Sequence, residues 1–170
     1  MSKNLVLIPA RGGSVGVHRK NLRNFAGKPL LVWTVELAKK LKFATHIIVS
    51  TDDNEIAEVG RNSGASVPFL RPEDISTNET AIEPVVSHCV RWLKEQQSLE
   101  VDTVTLLFPT NPMREVEQVE ACFSKFLDKN NDFDCVLTVN EMPSHHSPFW
   151  TLTVDENEIV TAFDGSALSD

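Results

Sequence analysis

Hydrophobic and polar positions along this chain alternate between two rhythms. Leu5-Val6-Leu7-Ile8 is an unbroken apolar run, the pattern of a strand buried on both faces. After Pro29, which suits a first helical turn, Leu30, Leu31, Trp33, Thr34, Leu37, Ala38 and Leu41 keep helical spacing. His46–Ser50 reads as a second strand. Thr51-Asp52-Asp53 then caps a helix starting near Glu55, with an apolar face of Ile56, Ala57 and Val59 and a stop at Gly64. Val67-Pro68-Phe69-Leu70 is a short strand or extended piece, followed by a polar loop over 71–79. A helix with Ile82, Val85, Val86, Cys89, Val90, Trp92 and Leu93 on its apolar side runs to about Gln97, and Thr103–Phe108 is the next strand. A turn at Thr110-Asn111-Pro112, a helix over Val116–Asp128 and a strand over Phe133–Val139 follow. Trp150–Val154 and Glu158–Phe163 flank Asp155-Glu156-Asn157 as a β-hairpin.

Strands alternating with amphipathic helices predict an α/β fold, a mostly parallel sheet covered on both faces. Ligands bind such sheets at the carboxyl ends of the strands, here the loops that begin at Pro9, Arg71 and Pro109. The 170 residues, 41% of them hydrophobic, suffice for one well-buried domain and are too few for two ordinary ones. No apolar run approaches the roughly 20 residues of a membrane span, and no signal-peptide pattern opens the chain. Cys89, Cys122 and Cys135 are odd in number and widely spaced, so they read as reduced core-filling thiols of a cytoplasmic protein.

Charge sharpens the picture. The chain carries a formal −8, which argues against general nucleic-acid binding. Residues 1–35 nevertheless hold Lys3, Arg11, Arg19, Lys20, Arg23 and Lys28 and no Asp or Glu, leaving ten basic against 24 acidic residues for the remainder. Those cations surround Arg11-Gly12-Gly13-Ser14-Val15-Gly16, directly after the first strand. Glycine permits positive φ and close approach to backbone N–H groups, and consecutive N–H groups make an anion-binding concavity. Arg adds paired donors for phosphate oxygens. The loop is neither a Walker loop, since no glycine is followed by Lys and then Ser or Thr, nor a dinucleotide fingerprint, since Arg11 occupies a required glycine position. It reads as a phosphate cradle, the alternative being a Gly-rich turn with solvated charges. No G-x-S-x-G, H-E-x-x-H or spaced Cys/His set points to a hydrolase or zinc enzyme. Asp52 and Asp53 suggest a metal, but capping the next helix is the preferred role. His145-His146 are adjacent on an extended segment and point apart, which disfavours zinc.

Ile8-Pro9-Ala10-Arg11-Gly12-Gly13-Ser14, then Gly16 and Lys20-Asn21, resembles the signature of the CMP-sialic acid synthetases, the acylneuraminate cytidylyltransferases. The resemblance continues through Gly27-Lys28-Pro29-Leu30, Val49–Asp53 with Glu55-Ile56-Ala57, and Phe69-Leu70-Arg71-Pro72. It reaches Leu106–Pro112 with Arg114 and a weaker echo at His145–Pro148. It implies a Rossmann-like three-layer α/β/α fold of the nucleotide-diphospho-sugar transferase type, forming a single nucleotidyltransferase domain over 1–170. It also implies transfer of CMP from CTP to a sialic or related nine-carbon 2-keto sugar acid with release of pyrophosphate, aided by Mg²⁺.

By the same resemblance Arg11 and Lys20 neutralise the triphosphate as catalytic groups. Ala10, Gly12, Gly13, Ser14, Asn21 and Arg71 join them around the nucleotide, and Phe108, Thr110 and Arg114 face the sugar. Asn21 has an amide donor and a carbonyl acceptor for a cytosine edge, or else caps a turn. The family is homodimeric and continues into a dimerising region and a late acidic metal-holding motif, and by the resemblance the domain over 1–170 is expected to lack both. It departs from the family at Val15, normally Lys, and at Phe108, normally Gln. The alternatives to a cytidylyltransferase are a non-catalytic or truncated nucleotide-binding domain of the same fold, and a nucleotidyltransferase for another sugar.

Overall fold

A computed structural model describes residues 2–14, 16–128, 130, 134–139, 152–154 and 160–162. The chain divides into two compact units, Met1–Val136 and Leu137–Asp170. In the first, strands β1 (Asn4–Pro9), β4 (His46–Ser50) and β5 (Thr103–Leu106) form a parallel sheet in the order β4-β1-β5. Leu5 to Pro9 pair with His46 to Ser50, and Asn4 to Leu7 with Thr103 to Leu106. The central strand is therefore hydrogen-bonded on both edges, and its Leu5, Val6, Leu7 and Ile8 are all 0% exposed.

Successive β1 residues serve opposite layers, as strand geometry requires. Val6 and Ile8 pack with Leu31 and Val35 of helix α1 (Leu30–Ala38), Ile56 and Ala57 of α2 (Asn54–Asn62) and Val119 of α4 (Val116–Phe126). Leu5 and Leu7 pack with Cys89 and Leu93 of α3 (Ile82–Gln97) on the other face. This is the three-layer α/β/α arrangement expected from the pattern.

The elements match the sequence closely, with a few differences. Pro29 lies one residue ahead of α1 with extended ψ of 142°, because it ends a two-stranded ribbon, β2 (Asn24–Phe25) and β3 (Lys28–Pro29), turned by Ala26 and Gly27 at φ of 48° and 96°. Strands of two residues are too short to show a periodicity. Val67–Leu70 forms no strand, and the parallel contact falls instead at Ser66 with Ile48. The expected strand at Phe133–Val139 is not formed over 134–139, where Leu137 and Val139 are 77% and 87% exposed. Apolar β-formers make a strand only when a neighbouring strand takes their backbone groups, and here the described contact is a single Cys122 Sγ donation to Val136 O at 3.8 Å. Of the cysteines only Cys89 is core, where burial pushes its thiol up to about 12, whereas Cys122 is half-buried and Cys135 exposed. In the second unit the expected hairpin is present as antiparallel β6 (Leu152–Val154) and β7 (Val160–Ala162).

Removing Leu7 side-chain volume strikes the sheet where α3 covers it. Leu7→Ala is expected to lower unfolding free energy by about 3 kcal/mol in urea titration, whereas Leu137→Ala should change it by less than about 0.5 kcal/mol.

Candidate functional site

Parallel pairing brings the carboxyl ends of β1, β4 and β5 to one edge, and main-chain bonds carry the alignment past the strands. Ala10 N–H donates to Ser50 O at 2.9 Å, Arg71 N–H to Thr51 O at 2.7 Å and Leu107 N–H to Leu7 O at 3.0 Å. The three loops anticipated from the sequence therefore meet around a cavity of about 420 Å³. Arg11, Ser14, Lys20 and Asn21 line it from the first loop, Arg71 and Ser76–Thr77 from the second, and Phe108 and Thr110 from the third. Ile82 and Val85 from the start of α3 supply an apolar sector together with Ile75 and Phe108. No Asp or Glu is among the described residues of the lining.

The cations are held in three different ways. Arg11 reaches across to the second loop, donating from Nη1 to Thr77 O at 2.5 Å. Lys20 follows Arg19, which takes the left-handed conformation at φ 50°, and opens a single 3₁₀ turn, Lys20–Leu22. Arg71 is the most confined, its side chain 4% exposed and its Nε and Nη2 without hydrogen-bond partners. Burial lowers its pKa, the nearby Asp52 opposes that shift, and the charge of Arg11 adds to it. A buried guanidinium with idle donors lacks the acceptors that would offset its desolvation.

The cradle backbone is braced rather than free. Asn21 is buried and donates from Nδ2 to Arg11 O at 3.0 Å, so it ties the loop together while also lining the cavity. Gly12 N–H donates to Asp52 Oδ1 at 2.9 Å. Asp53 caps α2, accepting from Glu55 and Ile56 N–H, and its carboxylate also takes Arg19 Nη2 at 3.0 Å. Neither Gly12 nor Gly13 lines the cavity, and none of Gly12, Gly13 and Gly16 adopts positive φ. Gly12 serves space instead: a Cβ there would sit 2.9 Å from Asp53 Oδ2, whereas one on Gly13 or Gly16 meets nothing within 4 Å. The positive φ falls on Arg19, which no glycine pattern marks.

Other anticipated residues are placed apart. Ala10 is 1% exposed and outside the lining. Arg114 is likewise not part of it; its guanidinium is half-buried with Nη1 unpartnered, and burial lowers its pKa. Val15 and His145-His146 lie outside the described residues. No three His, Cys, Asp or Glu side chains gather into a metal cluster among the described residues. Sequence reasoning missed the 75–82 segment as a cavity wall, since a Ser/Thr/Asn-rich loop carries no chemical signature before the fold places it.

Over residues 5–162 the sequence matches the family described as Cytidylyltransferase. The chain belongs to that family. It is 33% identical over 162 residues to the pseudaminic acid cytidylyltransferase of Campylobacter jejuni, covering 95% of this chain and 68% of that one. It is 40% identical over 116 residues to the CMP-N,N'-diacetyllegionaminic acid synthase of Legionella pneumophila, covering 68% of this chain and 49% of the relative. Among solved structures, a CMP:2-keto-3-deoxy-manno-octonic acid synthetase complexed with CTP superposes with a TM-score of 0.62 at 23% identity, over 76% of this chain and 49% of that chain. The structural likeness establishes the shared fold, and this chain spans about half the length of that neighbour. Among the described residues no helix is long and apolar enough to cross a membrane.

Two measurements test this geometry. Gly12→Ala should displace Asp53 and lower the thermal midpoint, while Gly13→Ala, with open space for the methyl, should leave it unchanged. His88 on α3 meets Phe69 edge-on at 4.6 Å with Nδ1 buried and unpartnered; burial, then Arg91 and Arg71, lowers its pKa, with Asp74 opposing. A depressed imidazole gives full stability above the unfolded-state value near 6.5 and loses it as pH falls through the lower folded value. Urea midpoints should therefore drop as pH falls below about 6.5, and the drop should shrink in His88→Gln.

Proposed function

We propose that this chain binds CTP through the cationic cavity and transfers CMP to a nonulosonic acid, releasing pyrophosphate. The observation that carries the reading is the convergence of Arg11, Lys20 and Arg71 on one cavity whose described lining contains no carboxylate. Its support from kinship is that curated relatives are a pseudaminic acid cytidylyltransferase, a CMP-N,N'-diacetyllegionaminic acid synthase and, at 29% identity over 138 residues, an N-acylneuraminate cytidylyltransferase of Escherichia coli.

The chemistry asks the protein for alignment and charge neutralisation more than for covalent help. A sugar hydroxyl attacks the α-phosphorus, and the bond from that phosphorus to the bridging oxygen breaks as pyrophosphate leaves. Lys20 brings a mobile charge to the phosphates, and Arg11 brings a planar fork that its bond to Thr77 already directs across the cavity. Arg71 offers idle donors to the nucleotide from a position with almost no water. Phe108 and Thr110 face the same space from the third loop, where the sugar acid would sit, with the apolar sector available to its non-hydroxyl substituents. Arg114 is outside the lining, so its sugar contact rests on resemblance alone.

Mg²⁺ belongs to the family expectation. Its preferred ligands are carboxylate and phosphate oxygens, and the described cavity supplies no Asp or Glu. These residues do not form a resident site for it, and the neutralisation described here is assigned to the three cations. Homodimerisation and a cytoplasmic setting complete the proposal. The free Cys89, Cys122 and Cys135 suit a reducing compartment; the dimer rests on the resemblance.

Calorimetric titration with CTP, UTP, GTP and ATP, followed by pyrophosphate release with a panel of nonulosonic acids, tests the reading. CTP should bind most tightly of the four and release pyrophosphate with at least one sugar acid. The Arg11→Ala/Lys20→Ala double variant should bind CTP at least about 100-fold more weakly, the loss of two charge-assisted contacts. CTP bound without turnover on any sugar would favour a nucleotide-binding domain instead, and tighter binding of another nucleotide would move the chain to a different sugar and base.

A further inference from the structure

We propose that Asp52 is a positioning residue that fixes the phosphate cradle and the buried Arg71 in one rigid relation, acting from behind the cavity. The inference rests on the nucleotide-binding reading above. Asp52 lies in the turn between β4 and α2, where main-chain pairing of the sheet has run out. Its Oδ1 accepts Gly12 N–H at 2.9 Å and sits 3.8 Å from Arg71 Nη2. One carboxylate oxygen thus faces the loop after β1 and the loop that follows Leu70 at the same time.

Neither Asp52 nor Gly12 lines the cavity, whereas their chain and charge partners Arg11 and Arg71 do. The carboxylate therefore does not occupy the place of a ligand phosphate. It holds the groups that would contact one. The adjacent aspartate shows by contrast what a purely architectural role looks like: Asp53 makes both cap bonds of α2 and takes Arg19. Asp52 makes neither cap bond, and among the described residues its polar contacts lead to Gly12 and Arg71. Arg71 in turn has two buried, unpartnered nitrogens, and Asp52 is the carboxylate that pairs with it among the described residues. Without that charge, a guanidinium this buried loses the ion pair that anchors it at the cavity wall.

Charge counting and positioning predict opposite signs, which makes the idea testable. Removing a negative charge beside a triphosphate site should by simple electrostatics tighten CTP binding. Positioning predicts weaker binding. Asp52→Asn keeps a carbonyl acceptor for Gly12 N–H and loses only the charge facing Arg71, while Asp52→Ala loses both.

Calorimetry with CTP should show the dissociation constant rising about threefold in Asp52→Asn and about tenfold in Asp52→Ala. The thermal midpoint should move less in both than in Asp53→Ala. Partial rescue by Asn without a matching stability change is the signature that a merely structural residue would not give. If the parent binds CTP and loses it in Arg11→Ala/Lys20→Ala while both Asp52 variants bind as tightly as the parent or tighter, the positioning role is overturned and the nucleotide reading stands. If the parent does not bind CTP, both fall. Should Asp52→Ala fail to fold, the Asn variant alone decides by the same signs.

Discussion

The parallel pairing of β1 on both its edges is the constraint on which the rest depends. A strand flanked on two sides and covered on two faces has no freedom in register, because a slip of one residue would exchange Val6 and Ile8 with Leu5 and Leu7 between layers. That fixed register sets where β1 ends, at Pro9, and therefore where the cationic loop begins. The bonds from Ala10 to Ser50 and from Arg71 to Thr51 continue the ladder one step beyond the strands, so two loops distant in sequence meet with main-chain precision. Site geometry here is a consequence of sheet geometry.

Within that frame, charge is sorted sharply. The chain is acidic overall, yet Asp and Glu are absent from the described lining of a cavity that holds three cations. Two acidic groups are used behind it: Asp52 on Gly12 and Arg71, Asp53 on Arg19 and the start of α2. Such an arrangement keeps like charges together in the cavity, with the Arg71–Asp52 ion pair at 3.8 Å, beyond hydrogen-bond reach, as a partial offset. Arg71 shows this most plainly, since its burial leaves Nε and Nη2 idle.

Much of this was legible in the residues. An apolar run of four between polar flanks announced a doubly covered strand, and Asp53 before Glu55-Ile56-Ala57 announced a capped helix that the structure reproduces. The loops at Pro9 and Pro109 followed from strand–helix alternation, whereas Arg71 follows no strand and is brought in by its N–H bond to Thr51 O. What was not legible depended on neighbours. The 134–139 stretch has strand-forming residues but pairs with no strand among the described residues, and the ribbon of β2 and β3 is too short for a period. Ser76 and Thr77 became cavity wall only because the start of α3 and the end of β5 approach one another in space.

The glycines of the cradle carry the subtler lesson. Their number suggested a loop that needs positive φ, but Gly12, Gly13 and Gly16 do not use it, and the left-handed residue is Arg19. Gly12 is required for a different reason: its missing Cβ is the space into which Asp53 packs. That packing lets one carboxylate cap α2 and hold Arg19 while its neighbour reaches Gly12 N–H. Because both aspartates leave the same turn, the stability of α2 and the shape of the cradle are set by a single backbone segment. The two roles are nevertheless divided between consecutive residues, Asp53 holding the helix start and Asp52 the loop after β1.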